Sequence, residues 1–455
     1  MRLFSAERPL RLRSGAAVAV VGLLTAGLAA PAFADDDSPQ TDQLWINRPY
    51  EQTLPLGTDG GQPQSRTLSV GLYHDNENFT VTDGRLAVDV SDLAGVAEVT
   101  WPDNCTPSGA SAVCDISVVP AIGGDYEHQV FLTVRAADGA EVGAQGRITY
   151  EATATGGPDG TLTAPHESFD TTLTLGVGPD LAIDPIADIK DSQPGDERTI
   201  PFRFTNNGNM SANGFTVKLY ASYGLTDLTR YDACTYSTTD GNDYAPSNKA
   251  VCTFDQVLAP GDSFELPEPL RVRLAPHALN ERLDIDVEPG DGAQDIDSQN
   301  DYVALQIGAE NTADFSVTGD AISGAAGETA TAELTFKNNG PAWFGNLGSG
   351  DPAAQVRLIV PEGTTVTGVP SGCVPRTLGG GYYPKQTGAP RYDCNLRYWV
   401  LQDTRRTFAF SVRIDTVVPG ATGAVSIHPT FGEFGEYPFD FDPDLTNNTA
   451  VLAVN

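Results

Sequence analysis

Hydrophobic and polar residues along this chain alternate with period two. Val130-Phe-Leu-Thr-Val-Arg135, Leu270-Arg-Val-Arg-Leu274 and Phe408-Ala-Phe-Ser-Val-Arg-Ile414 each place apolar side chains on every second residue, the signature of a strand with one buried face. Similar runs begin at Cys114, Cys252 and Cys394. Further alternations close three stretches of chain, at Asp170 to Val177, Asp301 to Ile307 and Asn448 to Val454, each after polar turn residues. The 47 glycines and 32 prolines are spread throughout and interrupt every candidate helix. Short alternating runs separated by turn signals predict an all-β protein of sandwiches, two antiparallel sheets packed face to face. A propeller is disfavoured, because its blades repeat at a much shorter period.

The six cysteines divide these runs into three copies. They fall as Cys105 and Cys114, Cys234 and Cys252, Cys373 and Cys394, with about 130–140 residues between equivalent positions. That period matches a domain with a self-sufficient core. Boundaries near 179 and 310 follow, giving domains over 35–179, 180–309 and 310–455. One disulfide within each copy is expected, closing a short loop, with the Cα atoms of Cys105 and Cys114 about 4.4–6.8 Å apart across a hairpin.

The chain begins with a targeting pattern over 1–34. Arg2, Arg8, Arg11 and Arg13 precede an apolar run from Gly15 to Ala30, and Ala32-Phe33-Ala34 offers a small-x-small cleavage site. The apolar run is short for a membrane span of ~20 residues and is followed at once by Asp35-Asp36-Asp37, so a cleaved signal peptide is expected rather than an anchor. The arginines are not adjacent, which favours the general secretory route over a twin-arginine one. A secreted, extracellular or loosely surface-associated protein follows, an oxidising setting in which paired cysteines form disulfides. No second apolar stretch is long enough to span a bilayer, and no LPxTG-like motif supports covalent wall attachment.

Charge narrows the partners. With 27 Lys and Arg against 60 Asp and Glu the formal net charge is −33, which repels nucleic acid and anionic lipid. An extracellular protein or a cell-wall glycan is the expected partner class.

Two copies share an ordered set of elements. In one, Pro194-Gly195-Asp196 leads into Ile200-Pro-Phe-Arg-Phe-Thr205, Asn206-Asn207-Gly208, Phe215-Thr-Val-Lys-Leu219, the two cysteines and Pro260-Gly261-Asp262. In the other, Gly327-Glu328 leads into Ala332-Glu-Leu-Thr-Phe-Lys337, Asn338-Asn339-Gly340-Pro341, Val356-Arg-Leu-Ile-Val360 and its cysteines. Asn-Asn-Gly reads as a tight turn joining two strands through residues that tolerate positive φ. Residues 180–455 thereby resemble the bacterial surface repeats known as domain of unknown function eleven, and more loosely the CARDB cell-adhesion-related repeats. The first copy has Tyr73-His-Asp-Asn-Glu-Asn-Phe79 in place of that turn and is the divergent one. The resemblance implies immunoglobulin-like sandwiches serving as spacers, adhesive stalks or appendages, with no catalytic residues.

Candidate chemistry is sparse. The five histidines, His74, His128, His166, His277 and His428, show no zinc spacing and read as surface or turn residues. Gly348-Ser349-Gly350-Asp351 departs from the nucleophile elbow, and no phosphate-cradling loop is present. A glycosidase carboxylate pair needs a separation that sequence does not reveal. Two aspartate-rich stretches before a last strand, Asp291-Gly-Ala-Gln-Asp295-Ile-Asp297-Ser-Gln-Asn300-Asp301 and Asp440-Phe-Asp442-Pro-Asp444-Leu-Thr-Asn447-Asn448, supply oxygen ligands suited to structural Ca²⁺, which would then raise the melting temperature. Alternatively, the same residues cap turns by bonding their own backbone. No other cofactor is expected. Tyr382, Tyr383 and Tyr392, with Tyr398 and Trp399, form an aromatic cluster able to stack on sugars or anchor a partner, although part of it belongs to the core.

Overall fold

The computed structural model describes residues 41–57, 65–124, 126, 129–164, 169–432, 435–436 and 439–455. The expected signal peptide with its expected cleavage point, His128 and His166 lie outside the described residues.

The protein is all-β and built of three immunoglobulin-like sandwiches. Among the described residues the helical segments are short 3₁₀ turns at Ser91–Leu93 and Leu445–Asn448, and no helix is long and apolar enough to cross a membrane. The first sandwich packs one sheet ordered Leu44–Asn47, Ser65–His74, Val130–Ala136, Ala97–Thr100 against a second ordered Glu51–Pro55, Asp170–Gly176, Gln145–Thr155, Val81–Asp89, Ser111–Val119, Cys105–Ser108. The third repeats this order with Ala313–Thr318, Thr329–Pro341, Arg405–Ile414, Thr364–Gly368 in one sheet. Its other sheet runs Asp320–Ile322, Thr449–Val454, Thr422–His428, Gln355–Ile359, Arg391–Asn395, Cys373–Arg376. The divergent first copy therefore has the same strand order as the third.

In the second sandwich the smaller sheet is broken in two, Leu181–Ile183, Arg203–Asn206, Ser263–Glu265 and Glu197–Ile200, Leu270–Leu274, Leu225–Thr226. The breaks fall at Pro201 and at Pro267 and Pro269, which have no N–H to give to a ladder. The larger sheet runs unbroken through Ile189–Ser192, Tyr302–Ala309, Asn280–Pro289, Ala212–Ser222, Ser247–Leu258 and Cys234–Thr239.

Alternation in sequence becomes alternation in burial. Along the strand Val130–Ala136, the side chains of Val130, Leu132, Val134 and Ala136 are buried and the residues between them are not. Each sandwich has its own hydrophobic cluster, joining Leu68, Leu132 and Tyr150 in the first, Phe204, Phe215 and Phe264 in the second, and Phe315, Phe336 and Phe410 in the third. The second core is an aromatic knot with ring centroids 4.7–5.3 Å apart. Each such ring stabilises its core by about 1.5–3 kcal/mol on burial.

All six cysteines are paired as expected, Cys105–Cys114, Cys234–Cys252 and Cys373–Cys394. Their Cα atoms lie 3.9, 3.9 and 3.8 Å apart, closer than expected, and each pair joins directly opposed residues at a non-hydrogen-bonded position, the closer of the two kinds in an antiparallel ladder. The loops span 9, 18 and 21 residues. Replacing a pair by alanines is expected to cost about 2.5 kcal/mol in the first sandwich and about 3.3 kcal/mol in the third, an order readable from denaturant melts of the paired variants.

The Asn-Asn-Gly segments are not simple turns. Asn206 is fully buried; its amide donates to Met210 O (2.8 Å) and Leu258 O (2.9 Å), and its carbonyl accepts from the Gly208 and Asp180 amides. Asn338 does the same work with Ala342 O, Leu401 O and Gly340 N. Gly340 has the positive φ that the turn reading requires (+74°), whereas Gly208 is needed for space: a Cβ there would sit 2.3 Å from Gly178 O.

Candidate functional site

Two built polar sites lie where one sandwich meets the next, and a third, Asp393 held by Arg357 and Arg391, lies within the last sandwich. At the first joint Asp180, fully buried, receives the guanidinium of Arg66 from the first sandwich and the amide of Asn300 (3.0 Å). Arg66 also donates to Asn207 O (2.9 Å). Asn209 reaches back to Leu56 O (2.7 Å) and Gly176 O (3.0 Å) while accepting from Gly178 N, and Gln52 donates to Asp297. These bonds span the two sandwiches and the linker between them.

The aspartates predicted as calcium ligands belong to this frame. Asp295 accepts from Leu181 N (2.7 Å) and Asp297 N (2.9 Å), tying the loop before the last strand to the first strand of the same sandwich. Asp442 repeats this with Phe315 N (3.2 Å) and Asp444 N (3.1 Å). Asn300 donating to Asp180 is matched by Asn447 donating to Asp314 (2.8 Å), so the two copies agree residue by residue. Asp444 caps the Leu445–Asn448 turn through Thr446 N, and Asp440 is exposed. The carboxylates thus meet backbone amides, the second of the two uses open to such a sequence. Among the described residues no three His, Cys, Asp or Glu side chains form a group able to hold a metal ion.

Burial holds the Asp295 carboxyl above its ordinary range, and it lowers Arg66, against which the charges of Asp297 and Asp295 pull it back up. Asp301 is pushed up to about 6, by burial first and then by Asp295, Asp286 and Asp297. A carboxyl that holds its proton more tightly when folded favours folding fully below the ordinary carboxylate range, and that help is lost as pH rises through about 6. Asp301→Asn is therefore expected to raise stability by about 1 kcal/mol at pH 7.5, a figure discounted for a half-exposed group, and to change nothing near pH 4. Melting curves at the two pH values check this.

At the second joint a fully buried carboxylate, Glu281, accepts four hydrogen bonds: from Ser222 Oγ, Gly224 N (2.9 Å), Leu279 N (3.0 Å) and, across the joint, Trp343 Nε1 (2.6 Å). Trp343 is buried and packs edge-on to Tyr223, which stacks on His277. The Trp343 amide donates to His277 O (3.1 Å) and Arg282 to Leu347 O (3.1 Å). A third contact comes from the 240–246 loop, where Ala245 N donates to the Tyr398 hydroxyl and Arg397 donates to Gly241 O and Asn242 O.

The aromatic cluster is not a platform. Tyr392, expected to face a ligand, is instead completely buried, its hydroxyl accepting from Ala389 N and donating to Gln386 O, because it shares the inward phase of its strand with Cys394. Tyr383 is half-buried and donates to Gly388 O (2.9 Å), and Trp399 is buried, which leaves Tyr382 exposed by itself. The histidines also differ from the surface reading: His74 is buried against Asp42 (2.9 Å), and His277 lies in the second joint.

No family model and no curated protein matches the sequence. Solved structures that it resembles include the first two immunoglobulin domains of Dpr2 in complex with DIP-Theta, 9% identical, covering 91% of this chain and 100% of that chain with a TM-score of 0.23. A putative membrane anchored protein from Corynebacterium diphtheriae is 9% identical over 91% of this chain and 95% of that chain, with a TM-score of 0.17. The C-terminal domain of the Streptococcus pyogenes antigen I/II-family protein AspA is 11% identical over 61% of this chain and 97% of that chain, with a TM-score of 0.19. The fold assignment rests on the strand order of the three sandwiches themselves.

Proposed function

We propose that this chain is a noncatalytic extracellular scaffold, a spacer whose three immunoglobulin-like sandwiches are held at set angles to present a partner-binding surface. The carrying observation is that both joints are hydrogen-bonded interfaces around buried charge, Arg66 with Asp180 and Glu281 with Trp343, rather than bare linkers. A chain whose domains only needed tethering would have no use for such groups, since burying an ion costs several kcal/mol unless it is well partnered. Three disulfides support an oxidising, extracellular setting. The resemblance of residues 180–455 to bacterial surface repeats points the same way. Small-angle scattering tests the reading: the mature chain is expected to fit one extended conformation, and a profile that requires many domain orientations would refute it.

A further inference from the structure

Each larger sheet ends in a short strand that carries the first cysteine of its copy, Cys105–Ser108, Cys234–Thr239 and Cys373–Arg376, and the outer side of the third is partly taken up where Arg376 bridges Tyr382. In all three, the residue before that cysteine accepts from the residue after the second one: Asp115 N to Asn104 O (2.9 Å), Thr253 N to Ala233 O (3.1 Å) and Asn395 N to Gly372 O (2.9 Å). Hydrogen-bonded and non-hydrogen-bonded pairs alternate along an antiparallel ladder, so the cysteine and the residue two places on turn their backbone groups outward, off the edge of the sheet.

That second position is Pro107 in the first sandwich and Pro375 in the third. A proline there has no N–H to offer, a common way of closing an exposed edge. In the second sandwich the position is Tyr236, followed two residues later by Thr238, and neither backbone has a backbone partner on that side among the described residues. The strand, Cys-Thr-Tyr-Ser-Thr-Thr, also has no charged residue to repel another strand.

A groove of about 510 Å³ runs along this edge, with Tyr236 and Thr238 on one wall and Leu228 and Arg230 on the other. Its one carboxylate, Asp227, lies 3.2 Å from Arg273, with which it pairs. Arg230 is exposed, sits 4.5 Å over the Tyr236 ring, and meets no carboxylate among the described residues. Lys249 also lines the groove, its ammonium 4.7 Å over the Tyr220 ring, so the charge left on this surface is cationic, with Arg230 the cation that sits over Tyr236.

We propose that the Cys234–Thr239 edge takes up an extended segment of a partner protein as an added strand, with the segment's backbone bonded at Tyr236 and Thr238 and an Asp or Glu side chain meeting Arg230. Strand addition gains affinity from the main chain and specificity from side-chain pockets beside the edge. A second copy of this chain is the weaker occupant, since both carry a net charge of −33. The site deepens the scaffold reading, but it does not depend on the joints.

The test uses the full mature chain and capped hexapeptides of alternating threonine and valine with one central glutamate, lysine or proline. Hydrogen exchange at the Tyr236 and Thr238 amides is expected to slow with the glutamate peptide, which binds about ten-fold more tightly than the lysine peptide. The proline peptide is expected not to bind. Arg230→Glu inverts the glutamate–lysine order, and Thr238→Pro abolishes binding without altering the melt. Unchanged exchange with every peptide, or a peptide order indifferent to Arg230→Glu, overturns the proposal. Self-association of the wild type that protects these amides and is lost in Thr238→Pro would assign the edge to a second copy, and equally overturns it. Either failure leaves the scattering result, and with it the scaffold reading, standing on its own.

Discussion

Glu281→Ala is expected to destabilise the protein by about 3–5 kcal/mol and to free the third sandwich from the second. The substitution strips four donors of their shared acceptor: the Ser222 hydroxyl, the Gly224 and Leu279 amides and the Trp343 indole. The three donors on the second sandwich would be left in a site from which water is excluded, and the indole would lose its bond across the joint. Glu281→Gln keeps the size but turns an amide N–H₂ toward groups that are all donors, so a smaller loss is expected. Denaturant unfolding followed by tryptophan fluorescence measures both, and scattering on the folded variant reports whether the orientation of the third sandwich has broadened. An alanine variant as stable as the wild type would show that the carboxylate is not what holds the joint.

Arg66→Met is expected to have an effect of similar size at the first joint, about 3–5 kcal/mol. Asp180 has no exposed surface, and without the guanidinium its carboxylate would retain Asn300 as its side-chain donor. The loss is a burial penalty rather than a missing contact, so it should be recoverable. Arg66→Met combined with Asp180→Asn removes both charges and is expected to be more stable than Arg66→Met alone, a coupling that a double-mutant cycle measures directly. If the double variant falls as far as the sum of the single ones, the pair does not interact as described.

Strands, copies and disulfides were legible in the sequence because each depends on spacing along one segment. Val130 to Ala136 could be read as half-buried without knowing what covers it, and the cysteine positions marked matching strands. The joints depend on which residues meet across the fold. Glu281 nevertheless left a trace: it occupies the same phase as Leu283, Ile285 and Val287, so a carboxylate stands in a row of core positions. Tyr392 left the same trace beside Cys394. Asn206 left none, since an Asn-Asn-Gly string records a turn preference and not the Met210 and Leu258 carbonyls that close around its amide. The aspartate-rich stretches were ambiguous for a chemical reason, as spaced carboxylates serve a cation or their own backbone equally well until the surrounding amides are placed.

In every sandwich a segment near the start of the domain runs parallel to its last strand, Glu51–Pro55 beside Asp170–Gly176, Ile189–Ser192 beside Tyr302–Ala309, and Asp320–Ile322 beside Thr449–Val454. Tension applied between the two ends of the chain pulls such a pair along its own length in opposite directions. Its hydrogen bonds are then loaded together, in shear, instead of parting one after another as in a peeled hairpin. The disulfides lie at the far edge of the same sheets, off this line of force, so the parallel pairs, and not the covalent links, set how hard the molecule can be pulled before a domain gives way.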